Sequence, residues 1–440
     1  MVSYVCRFCA APLEQVVVDL GAAPLANSYL EPEALLEPEA HHPLCTFLCT
    51  GCLLVQLPAM ASAEAIFSDY AYFSSYSSSW LEHARRYTEA QRRRFGLDEG
   101  SLVVEVASND GYLLQYFRDA GVPVLGIEPA SNVARVAEQA GIPTINRFLG
   151  AEVGAAVVAG ELDPSCDSRG DAGHFDSSAA PLLGRAADLV VANNVFAHVP
   201  DLRDFTAGLR ALLAPGGVLT IEAPHLMRLL DEVQFDTIYH EHFSYYSLLA
   251  AQRVLAAHGL VVFDVEEVPT HGGSLRIFCR RDDAPEAETA ERLATRPAVD
   301  ELLRRERRYG LDDPATYRHF APRVAAVKRQ LLSFLIEQAD AGRTVVGYGA
   351  PAKGNTLLNY CGVRPDLLPF TVDLSPHKQG RFLPGSRIPI RAPEAIAETR
   401  PDFVLILPWN LRAEIAEQMS AVRSWGGRFV VAVPRLTVLD

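Results

Sequence analysis

Short apolar runs recur along the chain, each cut off by small or polar residues, and this rhythm predicts buried parallel strands alternating with helices. The first run, Leu102-Val103-Val104-Glu105-Val106, passes into Ala107-Ser108-Asn109-Asp110-Gly111 and then an amphipathic helix over 112–120. A second strand over 124–128 ends on Glu128, followed by Pro129, and a third from 187 ends on Asn193 and Asn194. Residues 212–222 read as a helix end, a Pro-Gly-Gly turn and another buried strand. The pattern resumes at 344–348, 370–373, 403–407 and 429–433. Two doubly wound α/β units follow, so the fold class is α/β, with a small module at 1–68, a central domain at 69–268 and a C-terminal domain at 269–440. A Tyr- and Ser-rich connector, 66–77, leads into a helix near 79–95. The stretch near 161–185 contains 163–178, which lacks apolar periodicity and predicts a surface insertion.

Charge and composition narrow the setting. A formal charge of −14 over 440 residues argues against a nucleic-acid backbone as partner. No apolar stretch is long enough to span a bilayer, and the N-terminal residues lack a signal-peptide pattern, so a cytoplasmic protein without a membrane partner is expected. Oligomeric state is not legible in the sequence.

Eight cysteines in so long a chain do not form a dense disulfide framework. Four of them stand as Cys6-Arg7-Phe8-Cys9 and Cys49-Thr50-Gly51-Cys52, two knuckles whose thiolates can close a tetrahedron around Zn2+. Full coordination leaves no open position, which predicts a structural ion that stabilises the module without touching substrate. A redox dithiol would be better served by one such pair on a thioredoxin-like strand and helix. Cys45, His41 and His42 stand at no knuckle spacing.

Candidate chemistry concentrates in two places. Glu105, Ala107, Ser108, Asn109 and Gly111 surround the first turn, and Glu128 follows about twenty residues later, where a carboxylate grips ribose hydroxyls. Gly-x-Gly-x-x-Gly is absent, so no pyrophosphate need approach the turn, and S-adenosylmethionine fits better than a dinucleotide. Pro129, Asn193 and Asn194 complete this edge, and His198 follows the third strand. The second place is 235–247, where His240, Glu241, His242 and the phenols of Tyr239, Tyr245 and Tyr246 crowd together. Such density suggests proton transfer. His240 and His242, one residue apart, cannot share a helical face and do not form the His-Glu-x-x-His zinc motif.

In the C-terminal part, Gly347-Tyr348-Gly349-Ala350-Pro351-Ala352-Lys353-Gly354-Asn355-Thr356 reads as strand, glycine-rich loop and helix, with backbone N–H groups and Lys353 able to face phosphates. Asp373, Lys378 and Arg381 follow the next strand.

These knuckles, 105–111, 193–201, 239–247, the run His271-Gly272-Gly273-Ser274-Leu275-Arg276 and 347–356, in this order, resemble the S-adenosylmethionine-dependent sugar C-methyltransferases acting on nucleotide-linked 4-keto deoxysugars. The resemblance spans nearly the whole chain; the run 163–178 departs from it. It implies a zinc-binding module, a Rossmann-like methyltransferase domain and a Rossmann-like nucleotide-sugar domain. It also implies methylation beside the ketone, at C3 of a dTDP-linked 4-keto-6-deoxysugar, through an enolate. Under it, His242 is the base, Glu241 orients an imidazole, and Tyr239, His198 or Tyr72 donates to the oxyanion. Tyr76, Lys353, Asn355, Asp373, Lys378 and Arg381 are expected on the substrate. The alternatives are a sugar O-methyltransferase, and a zinc-bearing interaction protein with a degenerate fold.

Overall fold

A computed structural model describes residues 4–60, 74–76, 78–162 and 177–439. Tyr72 and most of the expected insertion lie outside them.

Three sheets organise the chain. The N-terminal module pairs Gln15–Ala23 with His42–Leu48 and that strand with Val55–Gln56, all antiparallel. Its fourth strand comes from far away: Ser244–Tyr245, inside the His/Tyr-rich segment, pairs with Val55–Gln56. Arg7, next to the first knuckle cysteine, donates to the Pro200 carbonyl at 3.0 Å and lies over the Phe243 ring. The module is thereby tied to the central domain by sheet pairing and by a partly desolvated guanidinium.

The central sheet has seven strands. Val103–Val106 lies between Ala187–Asn193 and Val124–Ile127, all parallel, and Thr144–Ile145 forms one edge. Continuous burial of Val103–Val106, Val124–Ile127 and nearly all of Ala187–Asn193 explains why they read as apolar runs rather than alternating ones. On the other side Leu213–Pro224 runs parallel to Ala187–Asn193, and Ser274–Arg281 and Leu260–Val268 complete the sheet as an antiparallel pair. The expected boundary at 268/269 falls inside this sheet. It cuts the hairpin between these last two strands, and Ser274–Arg281 shares its ladder with Leu213–Pro224, so the central sheet extends to residue 281.

Five parallel strands, Ile390–Arg391, Thr371–Val372, Val345–Tyr348, Phe403–Ile406 and Arg428–Val431, form the C-terminal sheet with an antiparallel Thr437–Leu439. The long helix Phe320–Asp340 packs one apolar face, Val324, Val327, Leu331 and Leu335, into the core. Among the described residues no helix is long and apolar enough to cross a membrane.

Candidate active site

The four predicted cysteines converge. Cys6, Cys9, Cys49 and Cys52 place their Sγ atoms within 4.8 Å of one another, with Cys6–Cys52 at 3.6 Å and Cys9–Cys49 at 3.4 Å. Zn–S bonds of about 2.3 Å in a tetrahedron put sulfurs about 3.8 Å apart, so the donor set fits zinc, and four thiolates leave no position for substrate. Gln56 donates to Cys6 Sγ at 3.1 Å and is itself held by the Arg7 N–H at 2.9 Å, an outer layer that orients the ligand. Cys45, His41 and His42 are not in the cluster.

At the carboxyl edge of the central sheet the turn after Val103–Val106 bends through positive φ at Ala107, Asn109 and Gly111. Glycine is required at 111, where φ is 78° and a Cβ would lie 2.8 Å from Ile142. Glu128 Oε2 accepts from Asn109 N at 2.9 Å and Oε1 from Ala130 N at 2.8 Å, so this carboxyl also holds the turn. Burial pushes it up to about 7 despite those two bonds. Glu105, buried beside Asp110, is pushed well above the usual carboxylate range.

Around the turn, Glu105 Oε2, Ser108 Oγ, Asp110 Oδ1, Asn193 Oδ1 and Asn194 Nδ2 are buried without a hydrogen-bond partner among the described residues. Buried polar atoms are normally paired, so this set matches a polar ligand. The carboxyls of Glu105, Asp110 and Glu128 suit the cationic sulfonium and amino groups of S-adenosylmethionine, and the free lone pairs of Glu128 suit ribose hydroxyls. Pro129 follows Glu128 at this edge. The backbone N–H groups of Ser74 and Ser75 reach Asn109 and Asp110 at 3.0 and 3.1 Å, which places the backbone before Tyr76 against the turn.

The histidines gather next to this edge. His242 Nδ1 is 2.8 Å from the Thr237 carbonyl, which can only accept, so Nδ1 carries the proton and Nε2 offers its lone pair. Tyr239 O–H donates to that Nε2 at 2.9 Å. Burial, reinforced by His198, holds His242 well below its ordinary range and therefore neutral. His198 packs edge-on against His242 with centroids 4.7 Å apart. Burial lowers it to about 4, partly opposed by a bond to the Glu241 backbone.

His240 points elsewhere. Its Nε2 reaches the His42 and Pro43 carbonyls of the zinc module, both at 3.2 Å. A turn at 240–241, closed by the His242 N–H on the Tyr239 carbonyl at 2.9 Å, sends His240 to the module and His242 to the cluster.

Glu241 is buried, and its Oε2 accepts from Asn27 Nδ2 at 2.7 Å. Burial pushes it up to about 7 against the pull of Asn27. A raised carboxyl stabilises the fold fully below its unfolded value, here 4.5, and loses that contribution as pH rises through 7. The shift corresponds to roughly 3 kcal/mol. Glu241→Gln, which has no proton to lose, is expected to gain stability relative to the parent between pH 5 and pH 8, as read by urea unfolding at both pH values. Glu128 and Asp236 titrate alike in both proteins and cancel. A difference that does not change with pH would refute the shift.

Lys353, expected on phosphates, is the second residue of the helix Ala352–Cys361 and faces the cluster. Its Nζ donates to Asn410 Oδ1 at 2.9 Å and lies over the Trp409 ring, and its charge acts on both His242 and His271. Burial lowers Lys353, opposed by Asp236, which accepts from Trp409 Nε1 at 2.6 Å. Burial raises Asp236 to about 6. Asn355 donates to the Ala26 carbonyl at 2.6 Å. Asp373 takes the Ala350 amide at 2.7 Å, one of the N–H groups expected to face phosphate. Lys378 donates to the Ala350 carbonyl at 3.0 Å, and Arg381 pairs with Glu31 at 2.7 Å.

Several residues of this site carried no role in the sequence reading. His271 sits at φ 56°, a strained conformation for a residue with a Cβ, and is followed by Gly272 and Gly273 at 94° and 112°. A Cβ on Gly272 would lie 2.5 Å from Trp409. Burial lowers His271 to about 4, its Nδ1 has no partner among the described residues, and its ring meets Trp80 edge-on at 5.0 Å. Trp80 also stacks on Tyr112 of the cofactor turn and on His83, whose Nε2 is 3.0 Å from Glu222. Arg276 closes on the same Glu222 at 2.7 Å. His198, Tyr239, His271 and Lys353 each keep part of their surface accessible, as residues lining a cleft do.

A sheet edge with unpaired buried polar atoms beside a buried imidazole cluster, with a four-thiolate module attached, fits a zinc-bearing methyltransferase. Three family models match the chain in series: "Putative zinc binding domain" over residues 6–67, "Methyltransferase domain" over 80–265 and "C-methyltransferase C-terminal domain" over 269–434. C-methyltransferase NovU of Streptomyces niveus is 38% identical over 435 residues, covering 99% of this chain and 96% of that protein. The chain belongs to this family of S-adenosylmethionine-dependent C-methyltransferases. Among solved structures, the PH0226 protein of Pyrococcus horikoshii OT3 aligns at TM-score 0.34 and 13% identity over 50% of this chain and 97% of its own. Magnesium protoporphyrin IX methyltransferase of Synechocystis PCC 6803 aligns at 0.29 and 14% identity over 46% and 78%.

Proposed function

We propose that the protein methylates C3, beside the ketone, of a dTDP-linked 4-keto-6-deoxysugar through an enolate, in the making of branched deoxysugars. The observation that carries this reading is the Tyr239–His242 hydrogen bond, set against His198, His271 and Lys353.

A carbon beside a ketone becomes a nucleophile only when its proton is removed, so a base and a partner for the oxyanion are both required. His242 is the destination of that proton. Its Nδ1–H stays on Thr237, while Nε2 takes the phenolic proton of Tyr239 as Tyr239 oxygen takes the one leaving carbon; the C–H electron pair becomes the enolate. His198 is neutral and spends its single N–H on the Glu241 carbonyl, so it offers an acceptor suited to a sugar hydroxyl. The oxyanion then falls to Lys353 and His271. S-adenosylmethionine, when bound, supplies an already electrophilic methyl, and the protein needs only to align it. Lys378 and the 349–354 loop are the proposed neighbours of the diphosphate.

Incubation with dTDP-4-keto-6-deoxyglucose in D2O without methyl donor is expected to place deuterium at C3, and addition of S-adenosylmethionine to place a methyl on the same carbon. A methyl ether without exchange would establish the O-methyltransferase instead. Failure to bind the donor would point to the non-catalytic reading. Tyr239→Phe interrupts the relay and is expected to slow exchange about 100-fold; exchange at the parent rate would assign proton removal to His242 alone.

A further inference from the structure

After the strand Gln15–Ala23 the zinc module sends residues 24–30 to the junction of the other two domains. Asn27 ends there with Nδ2 2.7 Å from Glu241 Oε2. The neighbours of Asn27 are fastened to the C-terminal domain. The Ala26 carbonyl accepts from Asn355, Tyr29 O–H donates to the Ala350 carbonyl at 2.5 Å, and Lys378 lies over the Tyr29 ring. Leu30 forms a bridge with Phe382. On its other side, Glu241 accepts through its carbonyl from His198, which packs on His242. A chain of contacts therefore runs from the zinc module through one carboxyl to two imidazoles.

We propose that Asn27 is a positioning residue of the active site: its hydrogen bond to Glu241 fixes the 240–242 segment, and thereby His198 and His242, relative to the substrate. The inference rests on the reading of 235–247 as an enolisation centre. It gives the zinc module a part in the reaction, since the ion holds the fold that carries Asn27. A side chain that merely glued domains together would affect stability; a positioning side chain affects turnover through Glu241 and nothing else.

The test uses the full-length, zinc-loaded protein with dTDP-4-keto-6-deoxyglucose and S-adenosylmethionine. Asn27→Ala is expected to lower kcat about 10- to 100-fold with KM within about threefold, the loss typical of a small misplacement of a reacting group. Asn27→Asp, similar in shape but facing one carboxyl with another, is expected to lose at least as much. Zinc content remains that of the parent, and both variants stay folded at the assay temperature. In a Glu241→Gln background, Asn27→Ala is expected to cost less than about threefold, because coupled residues are not additive. The proposal is overturned if Asn27→Ala turns over within about twofold of the parent, if the loss is equal in both backgrounds, or if it tracks loss of zinc or of folded protein. Absence of exchange and methylation in the parent would overturn the enolisation reading and this inference with it, an outcome distinct from a silent Asn27.

Discussion

His242→Gln is expected to reduce both deuterium exchange at the sugar carbon and methyl transfer by about 100- to 10,000-fold, the span over which a positioned general base contributes. In barrier terms this is roughly 3 to 5 kcal/mol. Glutamine can still donate to Thr237 and accept from Tyr239, so the local packing survives, but it cannot hold a proton at the Nε2 position. Binding of S-adenosylmethionine should be unchanged, because the turn at 107–111 and Glu128 are built by other elements. Calorimetry for the donor, together with exchange measured by NMR, checks both halves. Exchange within a few-fold of the parent would remove His242 from the proton path.

The second large effect concerns the metal. Cys49→Ser opens one corner of the thiolate tetrahedron and is expected to abolish stoichiometric zinc, unfold the N-terminal module and reduce turnover at least about 100-fold. Structural zinc contributes about 10–16 kcal/mol in small modules, as much as the whole stability of many domains, so a module of this size does not stand without it. Its loss also removes Asn27 from Glu241 and the partner of Ser244–Tyr245. Elemental analysis, limited proteolysis of the module and turnover should change together. Zinc-free protein with the parent's melting temperature and activity would refute this.

What the sequence made legible was local. A Cys-x-x-Cys knuckle declares its geometry within four residues, and both knuckles met. Strands buried on both faces declare themselves as apolar runs, and Glu128 stands where a strand end should carry it. The misses were long-range or backbone features. Asn27 and Glu241 are separated by 214 residues and belong to different modules, so no spacing connects them. The Trp409–Asp236 bond spans 173 residues. The glycine-rich loop places Lys353 near phosphates in the sequence, and the direction of its stem, over Trp409 and toward Asn410, comes from packing across the fold. His271 had a signal: a histidine before two glycines, between two apolar runs, is a hairpin turn with an unusual backbone. Read that way, it would have joined strands 260–268 and 274–281 as a hairpin and pointed to a strained imidazole.

The late arrival of Ser244–Tyr245 in the first sheet has a consequence during synthesis. Residues 4–56 emerge first, yet their sheet lacks its last strand until about 190 more residues have followed, a wait of roughly 10–40 s at ordinary elongation rates of about 5–20 residues per second. Through that interval the nascent chain presents Val55–Gln56 as an unfilled edge. Being only two residues long, it offers a poor template for a neighbouring polysome product. Brevity of the edge thus protects the newborn module until the 235–247 segment comes to cover it.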